Sequence, residues 1–168
     1  MSHVKHYVGF DLGTKCGVCT TTVNYDSGSV IHFPREWRLS SHKQQRHIEF
    51  DAELNDLLGW FKEQKEEENN RVVVCYEKVQ RHMGTSAAHV YGAYEMQLLV
   101  KCHSFDLQTL SVGVSELKKF ATGKGTASKE DMITEALEAS LEEALTDNEA
   151  DAFWISEWAR CNDPLGEV

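Results

Sequence analysis

The pattern of apolar and polar residues predicts strands at the start of the chain and helices in its later part. Three stretches rich in β-branched and aromatic residues come first. They cover about residues 5–12, 16–24 and 29–38, and a tight turn at Gly13 joins the first two. Phenylalanine and leucine then recur at helical spacing, which predicts a helix over residues 43–67 that ends in a polar stretch.

The second half of the chain alternates between predicted strands and helices. The nearly continuous apolar run RVVVCYE predicts a strand that is covered on both faces. A helix is predicted over residues 85–102, a strand over 105–111, and two further helices over 128–145 and 147–160. With no linker or repeat, this order predicts a single α/β domain over residues 1–168.

Composition narrows the possible function classes. The chain has 168 residues, of which 41% are hydrophobic, enough for one domain with a sizeable core. No apolar run approaches the ~18 residues of a membrane span, and the N-terminus lacks the apolar core of a signal peptide. Five cysteines, an odd number, indicate free thiols, and the lone pair Cys16 and Cys19 lacks the partners of a zinc site. We therefore expect a cytoplasmic protein without a membrane partner.

The net charge of −10 argues at first against a nucleic-acid partner, but the charge is unevenly distributed. Residues 130–168 contain twelve acidic residues and one basic residue. The first 129 residues contain sixteen basic and fifteen acidic residues, a net charge of +1 with local basic clusters. A DNA-binding surface outside the acidic C-terminal segment is therefore compatible with the composition.

Three carboxylates lie in or beside apolar stretches, where a buried charge is costly. Asp11 lies in the first predicted strand, Glu77 ends the strand RVVVCYE, and Asp151 shares a helix face with Ile155 and Trp158. Any one of them alone is compatible with a structural acid that is satisfied by hydrogen bonds. A bound metal ion would remove the penalty for all three, so the set as a whole predicts a metal site.

The opening segment by itself is compatible with two chemistries. In actin-like ATPases, an Asp-x-Gly hairpin meets ATP phosphates through magnesium, whereas in ribonuclease H-like nucleases the first-strand aspartate holds metal beside a phosphodiester. Actin-like ATPases close two domains around their nucleotide, and 168 residues supply only one such domain. Length therefore favours the nuclease.

The start of the last predicted helix offers a fourth metal ligand. Thr146 and Glu149 form the S/T-x-x-E pattern of a capping box. Asn148 lies three residues before Asp151 on the same helix face, so its amide oxygen is a candidate ligand, and it is favoured in part because of the family resemblance described below. Asp147 lies four residues before Asp151 and is the alternative, although its position in the first turn also suits the helix dipole.

Two polar clusters predict contacts to phosphate. The segment KKFATGKGTASKEDM combines lysines, hydroxyls and two glycines, and Ser128 is expected to cap the helix that follows. The second cluster, EKVQRHMGTSAAHVYG, follows the strand that carries Glu77. The predicted DNA-binding residues of the two clusters are Lys118, Lys119, Lys124, Lys129, Arg81, His82, Thr85 and Ser86.

Four blocks of the sequence resemble a known family when they are taken together. GFDLGTKCG, YEKVQRHMGTSAAHVYG, LKKFATGKGTASKEDM and DNEADAFWI occur in the order and spacing of RuvC-like Holliday junction resolvases. The similarity looks closest to the phage-type branch, and it spans the chain from residue 6 to about residue 160. The resemblance implies a ribonuclease H-like fold, with a mixed five-stranded sheet flanked by helices, in a phage-encoded protein that acts in a bacterial host.

The resemblance also implies a function and a mechanism. It implies a homodimer that cuts four-way junctions and other branched DNA by two-metal hydrolysis, with Mg²⁺ as the cofactor and Mn²⁺ as a substitute. Asp11, Glu77 and Asp151 correspond to metal ligands, and Lys118 and Lys129 to lysines that contact the scissile region. Lys129 is expected to stabilise the charge that develops on the phosphate, which makes it the fourth expected catalytic residue. The apolar helix AAHVYGAYEMQLLV is the expected dimer interface.

Two departures from the family keep alternatives open. Asn148 stands where bacterial members have an aspartate, and a neutral ligand would bind a second metal ion more weakly. Gln80 stands where they often have an aromatic residue that wedges into the junction. A ribonuclease H-like RNase that acts on structured RNA and a non-catalytic protein that binds branched DNA are the alternative functions.

Overall fold

Three strands followed by alternating helices and strands form the chain in the computed structural model, which describes residues 4–68, 70–81 and 84–165. The strands are β1 (Val4–Asp11), β2 (Lys15–Asn24), β3 (Ser29–Arg38), β4 (Arg71–Lys78) and β5 (Gln108–Gly113). The helices are α1 (Lys43–Glu68), α2 (Thr85–Ser104), α3 (Val114–Thr122), α4 (Lys129–Ser140) and α5 (Asp147–Asn162).

The five strands form one mixed sheet in the order β3-β2-β1-β4-β5. The β1–β2 and β2–β3 pairs are antiparallel, as hairpin connections require. The β1–β4 and β4–β5 pairs are parallel; the chain reaches β4 from β3 through α1, and α2 joins β4 to β5. This arrangement confirms the predicted α/β class and the mixed five-stranded sheet with flanking helices. The parallel pair β1–β4 brings the carboxyl ends of two strands to the same edge of the sheet.

Side chains of the central strands alternate between the two helical layers. In β1, Val8 and Phe10 face the core formed with α1 and α2, and Tyr7 faces the core formed with α3, α4 and α5. In β4, Val72 through Tyr76 are all buried, which confirms that RVVVCYE is covered on both faces. By this alternation, Asp11 and Glu77 lie on the α5 side of the sheet.

Two glycines let α5 lie directly on β1 and β2. A Cβ atom on Gly9 would lie 2.6 Å from the backbone nitrogen of Ser156, and one on Gly17 would lie 2.5 Å from the carbonyl carbon of Asn148. Real Cβ atoms essentially never come so close to backbone atoms, so any larger residue would lift the helix from the sheet. Glycine within a strand often marks such a close approach of another backbone.

The structure differs from the sequence prediction by one additional helix and by more than two residues at two element ends. The helix α3 was missed, because its short stretch with buried Leu117 and Ala121 is dominated by lysines and followed by glycine. The strand β5 begins later than predicted, because Asp106 adopts a left-handed conformation (φ 53°) that Lys65 holds by hydrogen bonds. The helix α4 ends at Ser140, before two acidic residues that would interact unfavourably with its C-terminal dipole.

All five cysteines are free thiols, as predicted. Cys16 and Cys19 belong to different cores on opposite faces of β2, so this C-x-x-C pair cannot share a ligand. Among the residues described, no helix is long and apolar enough to cross a membrane.

Candidate functional site

A single row of residues across the sheet carries three carboxylates. Asp11 pairs with Gly17 across β1 and β2, and Gly17 pairs with Glu36 across β2 and β3. On the other side, the β1–β4 register pairs Phe10 with Tyr76, so Asp11 and Glu77 are the next residues along two parallel strands. Residues in one row point to the same face, so all three acids face α5.

The helix α5 brings a fourth functional side chain to this row. The Asn148 backbone lies against Gly17, and Ala152 and Ser156 lie against Gly9. Asp151 lies between these two contact points along the helix, and it is followed one turn later by the fully buried Ile155. The packing of α5 on two strand glycines therefore places Asp151 over the strand that carries Asp11.

The pKa values of the acids show that these carboxylates interact. Burial, followed by the charges of Asp151, Glu77 and Asp147, raises the pKa of Asp11 well above its usual value. Burial and the charge of Asp151 raise the pKa of Glu77 to about 7. Burial and the charge of Asp147 raise the pKa of Asp151 to about 6. The positive charges near the site, those of Lys118 and Lys129, therefore do not balance the negative charge of the acids.

The donor set fits a hard divalent cation, because it consists of carboxylate oxygens in a partly buried environment. Across the described ranges, however, no three histidine, cysteine, aspartate or glutamate side chains converge closely enough to hold a metal ion. The acids lie close enough to shift the pKa values of one another, but their carboxylates do not surround a common point.

Two of the predicted lysines lie beside these acids. Lys129 is the first residue of α4, after the Ser128 cap, and its Nζ donates to Asp147 Oδ2 at 2.6 Å. The raised pKa values of the acids are partly offset by these lysines. The charge of Lys129 acts on Asp11 and Asp151, and the charge of Lys118 on α3 acts on Glu77 and Asp151. The structure therefore places Lys118 and Lys129 close enough for their positive charges to act on the three acids.

The other predicted DNA-binding residues lie on the surface around this edge of the sheet. Lys119 is exposed on α3, and Lys124 is exposed at a loop tip between Gly123, the left-handed cap of α3, and Gly125. Thr85 and Ser86 are exposed at the start of α2. Arg81 lines a cleft of about 610 Å³ with Lys78 and Gln80, the residues that follow Glu77 in the chain, and Ser115 of α3. His82 lies outside the described residues.

The two candidates for the fourth ligand make different contacts at the start of α5, where the predicted capping box of Thr146 and Glu149 is present. Asp147 forms the ion pair with Lys129. Asn148 Nδ2 donates to Glu36 Oε2 at 2.8 Å. The hydrogen bonds from Asn148 and from Arg38 hold the pKa of Glu36 below its usual value, although burial opposes them. The choice between Asn148 and Asp147 stays a prediction.

Comparisons with solved structures identify the fold. RuvC of Thermus thermophilus superposes with a TM-score of 0.67 at 18% identity, over 91% of this chain and 90% of that chain. The same protein in complex with a Holliday junction substrate gives 0.68 at 17% identity, over 92% and 90%. The protein has a RuvC-like fold. The yeast mitochondrial Holliday junction resolvase Ydc2 shares it, with a TM-score of 0.57 at 17% identity, over 91% of this chain and 77% of that chain.

The RuvC-like fold agrees with the resemblance seen in the sequence. No protein-family model matches the sequence, and no curated protein matches it. At these low identities the structural likeness concerns the fold, and the phage-type branch stays a prediction.

Several residues support this site in ways that the sequence analysis did not predict. Tyr91 on α2 donates from its hydroxyl to the Glu77 carbonyl oxygen at 2.7 Å, and so fixes the backbone at the end of β4. Glu36 belongs to the row of acids, but β3 carried no signal that it would face the site. Gly9 and Gly17 did carry a signal, because glycine is depleted within strands and marks close backbone approach.

Proposed function

We propose that this protein is a divalent-metal-dependent endonuclease that cuts Holliday junctions and other branched DNA. The observation that carries the proposal is that β1, β4 and α5 bring Asp11, Glu77 and Asp151 close enough to act on one another electrostatically, with the charges of Lys118 and Lys129 acting on the same acids. A solved structure with the same fold, T. thermophilus RuvC, contains a Holliday junction substrate, which supports branched DNA as the substrate class.

The metal would be held by Asp11, Glu77 and Asp151, with Asn148 or Asp147 as a further ligand. Carboxylate oxygens are the ligands that Mg²⁺ and Mn²⁺ prefer, and a bound cation would offset the burial and the mutual repulsion that raise the pKa values of these acids. When bound, two such ions supply an activated water and stabilise the leaving 3′ oxygen during phosphodiester hydrolysis. We therefore expect Mg²⁺ to be the cofactor and Mn²⁺ to substitute for it.

The basic residues would position the phosphodiester and stabilise its charge. Lys129 has a largely exposed side chain, and its Nζ is held by Asp147 at the start of α5, on the helix that carries Asp151. An ammonium group at this point would stabilise the negative charge that develops on the phosphate during cleavage. Lys119, Lys124 and Arg81 lie further out and would contact the DNA backbone, which fixes the register of the substrate without reading its sequence.

A homodimer would match the symmetry of a four-way junction. The helix α2 buries Tyr94 and Leu98 in the core, yet it also exposes Met96 and Val100, which are 60% and 59% exposed. Ile48 on the neighbouring α1 is 63% exposed. These side chains give a second copy of the chain an apolar surface to bind. Two sites related by a two-fold axis would cut two opposing strands.

The test is incubation with a labelled synthetic four-way junction, with and without Mg²⁺, read on denaturing and native gels. We expect paired cuts in the junction that require Mg²⁺, and no cuts in a linear duplex of the same sequence. Preferential cutting of an RNA junction would instead favour a ribonuclease.

A non-catalytic junction-binding protein is the second candidate, and two observations favour it. The described acids do not converge on one point, and the neutral Asn148 stands where bacterial family members have an aspartate. Junction binding on native gels without nicking in Mg²⁺ or Mn²⁺ would establish this function and overturn the nuclease.

A further inference from the structure

A buried carboxylate on β3 fixes the orientation of the Asn148 side chain. Asn148 Nδ2 donates to Glu36 Oε2 at 2.8 Å, and the Glu36 side chain is only 6% exposed. An ionised carboxylate only accepts hydrogen bonds, so the end of the carboxamide that points to β3 must be its nitrogen. The amide oxygen is left for another partner, and among the described residues none donates a hydrogen bond to it.

Glu36 is itself held in place. Arg38 Nε donates to Glu36 Oε1 at 3.0 Å, so each carboxylate oxygen has its own partner. The register places Glu36, Gly17 and Asp11 side by side on β3, β2 and β1. Because Gly17 has no side chain, the Asn148 backbone occupies the space between the two acids. Glu36 therefore reaches the start of α5 from the side of the helix opposite to Glu77.

We propose that Glu36 is a positioning residue, which orients the Asn148 carboxamide so that its oxygen serves as a ligand to the cation held by Asp11, Glu77 and Asp151. This inference rests on the proposed metal-dependent function. A carboxylate that accepts from the amide nitrogen also polarises the amide and makes its oxygen a better ligand. Position 148 on α5 has a neutral side chain, and the carboxylate of Glu36 on β3 thus supplies a negative charge next to it.

The pairing makes a specific prediction about position 148. Asn148→Asp alone would place two carboxylates where a 2.8 Å hydrogen bond now lies. The double variant Glu36→Gln with Asn148→Asp would restore the bond with donor and acceptor exchanged, because the glutamine amide can donate to the new aspartate. A role for Glu36 in simple packing predicts no such rescue.

The experiment is a Mn²⁺ titration of the DNA-free protein, followed by electron paramagnetic resonance, for the wild type and for each variant. Glu36→Gln should weaken Mn²⁺ binding about 10-fold, as the loss of a partner that orients a metal ligand commonly does. Asn148→Asp should lower the thermal midpoint of the metal-free protein, and the double variant should recover most of that loss. Glu63→Gln is the control and should leave Mn²⁺ affinity unchanged, because it makes the same change of charge at an exposed position of α1, on the opposite face of the sheet.

The outcomes separate this inference from the proposed function. If the wild type binds Mn²⁺ and Glu36→Gln binds it equally well, Glu36 has no role toward the cation and only the inference fails. If the wild type binds no Mn²⁺, the proposed metal site fails, and the inference fails with it. A side-chain amide resonance of Asn148 that shifts in Glu36→Gln and stays in place in Glu63→Gln would support the orienting hydrogen bond.

Discussion

Gly17→Ala tests whether the close packing of α5 on the sheet builds the site. The new Cβ would stand 2.5 Å from the Asn148 carbonyl carbon and closer still to its oxygen, whereas ordinary contacts begin at 3.4 Å. The helix must therefore retreat by at least about 0.9 Å. The new Cβ is fixed to the backbone of β2 and meets the backbone of α5, so neither partner can rotate away. We therefore expect a loss of about 3 kcal/mol in the free energy of unfolding, in the upper part of the range for overpacked cores.

The assay is urea unfolding followed by tryptophan fluorescence, for which Trp154 and Trp158 on α5 are suitable probes. Gly59→Ala is the matched control, because nothing lies within 4 Å of a Cβ at that helical position in α1. The control should stabilise the protein by about 0.5–1 kcal/mol through the helix preference of alanine. A shift of about 1 Å at Asp151 should also slow junction cleavage about 100-fold in any Gly17→Ala protein that folds. Gly17→Ala with wild-type stability would refute the packing argument.

Three further predictions concern the acids and lysines of the site. Asp11→Asn, Glu77→Gln and Asp151→Asn should each abolish cleavage on denaturing gels but preserve junction affinity, because basic residues supply most of that affinity. The pKa of Glu77 is raised from 4.5 to about 7, so the folded state binds more protons than the unfolded state in this range. Urea unfolding of the metal-free protein should therefore show stability falling as pH rises from 5 to 8, less steeply in Glu77→Gln. Lys129→Ala should lower the single-turnover rate on saturating junction about 100-fold, whereas Lys124→Ala should weaken binding and reduce its salt slope by about one.

Each of these predictions has a result that would count against it. Wild-type cleavage by any two of the acid variants would mean that the metal ligands are wrongly assigned. A flat stability profile between pH 5 and 8 would mean that burial and the neighbouring Asp151 do not raise the pKa of Glu77 in the folded protein. Normal cleavage by Lys129→Ala once it is bound would reduce Lys129 to a residue that docks the DNA.

Much of the fold could be predicted because its signals are local. The start of β2 and both ends of β3 lie within one residue of the predicted positions, since hydrophobic runs and turn residues mark them clearly. The helix α3 could not be found in the same way. Its buried residues Leu117 and Ala121 are only two, and the lysines between them suggested a basic loop. The left-handed Asp106 before β5 depends on Lys65, which is distant in the sequence.

The candidate site could be predicted only where a single residue stands out from its neighbours in the sequence. Acids in apolar surroundings pointed to Asp11, Glu77 and Asp151, because burial of a charge needs compensation. The contact between Asn148 and Glu36 joins residues 112 positions apart, and no spacing rule relates them. It depends on strand register and on Gly17, which admits the helix backbone. These are properties of the assembled sheet and helix.

The most direct test of the central claim is single-turnover cleavage of a labelled four-way junction by the wild type and by Asp151→Asn, each with and without Mg²⁺. We expect the wild type to cut the junction only with Mg²⁺, and Asp151→Asn to bind the same junction without cutting it. Cleavage by the wild type without a divalent cation, or equal cleavage by Asp151→Asn in Mg²⁺, would contradict a metal-dependent nuclease site at these carboxylates.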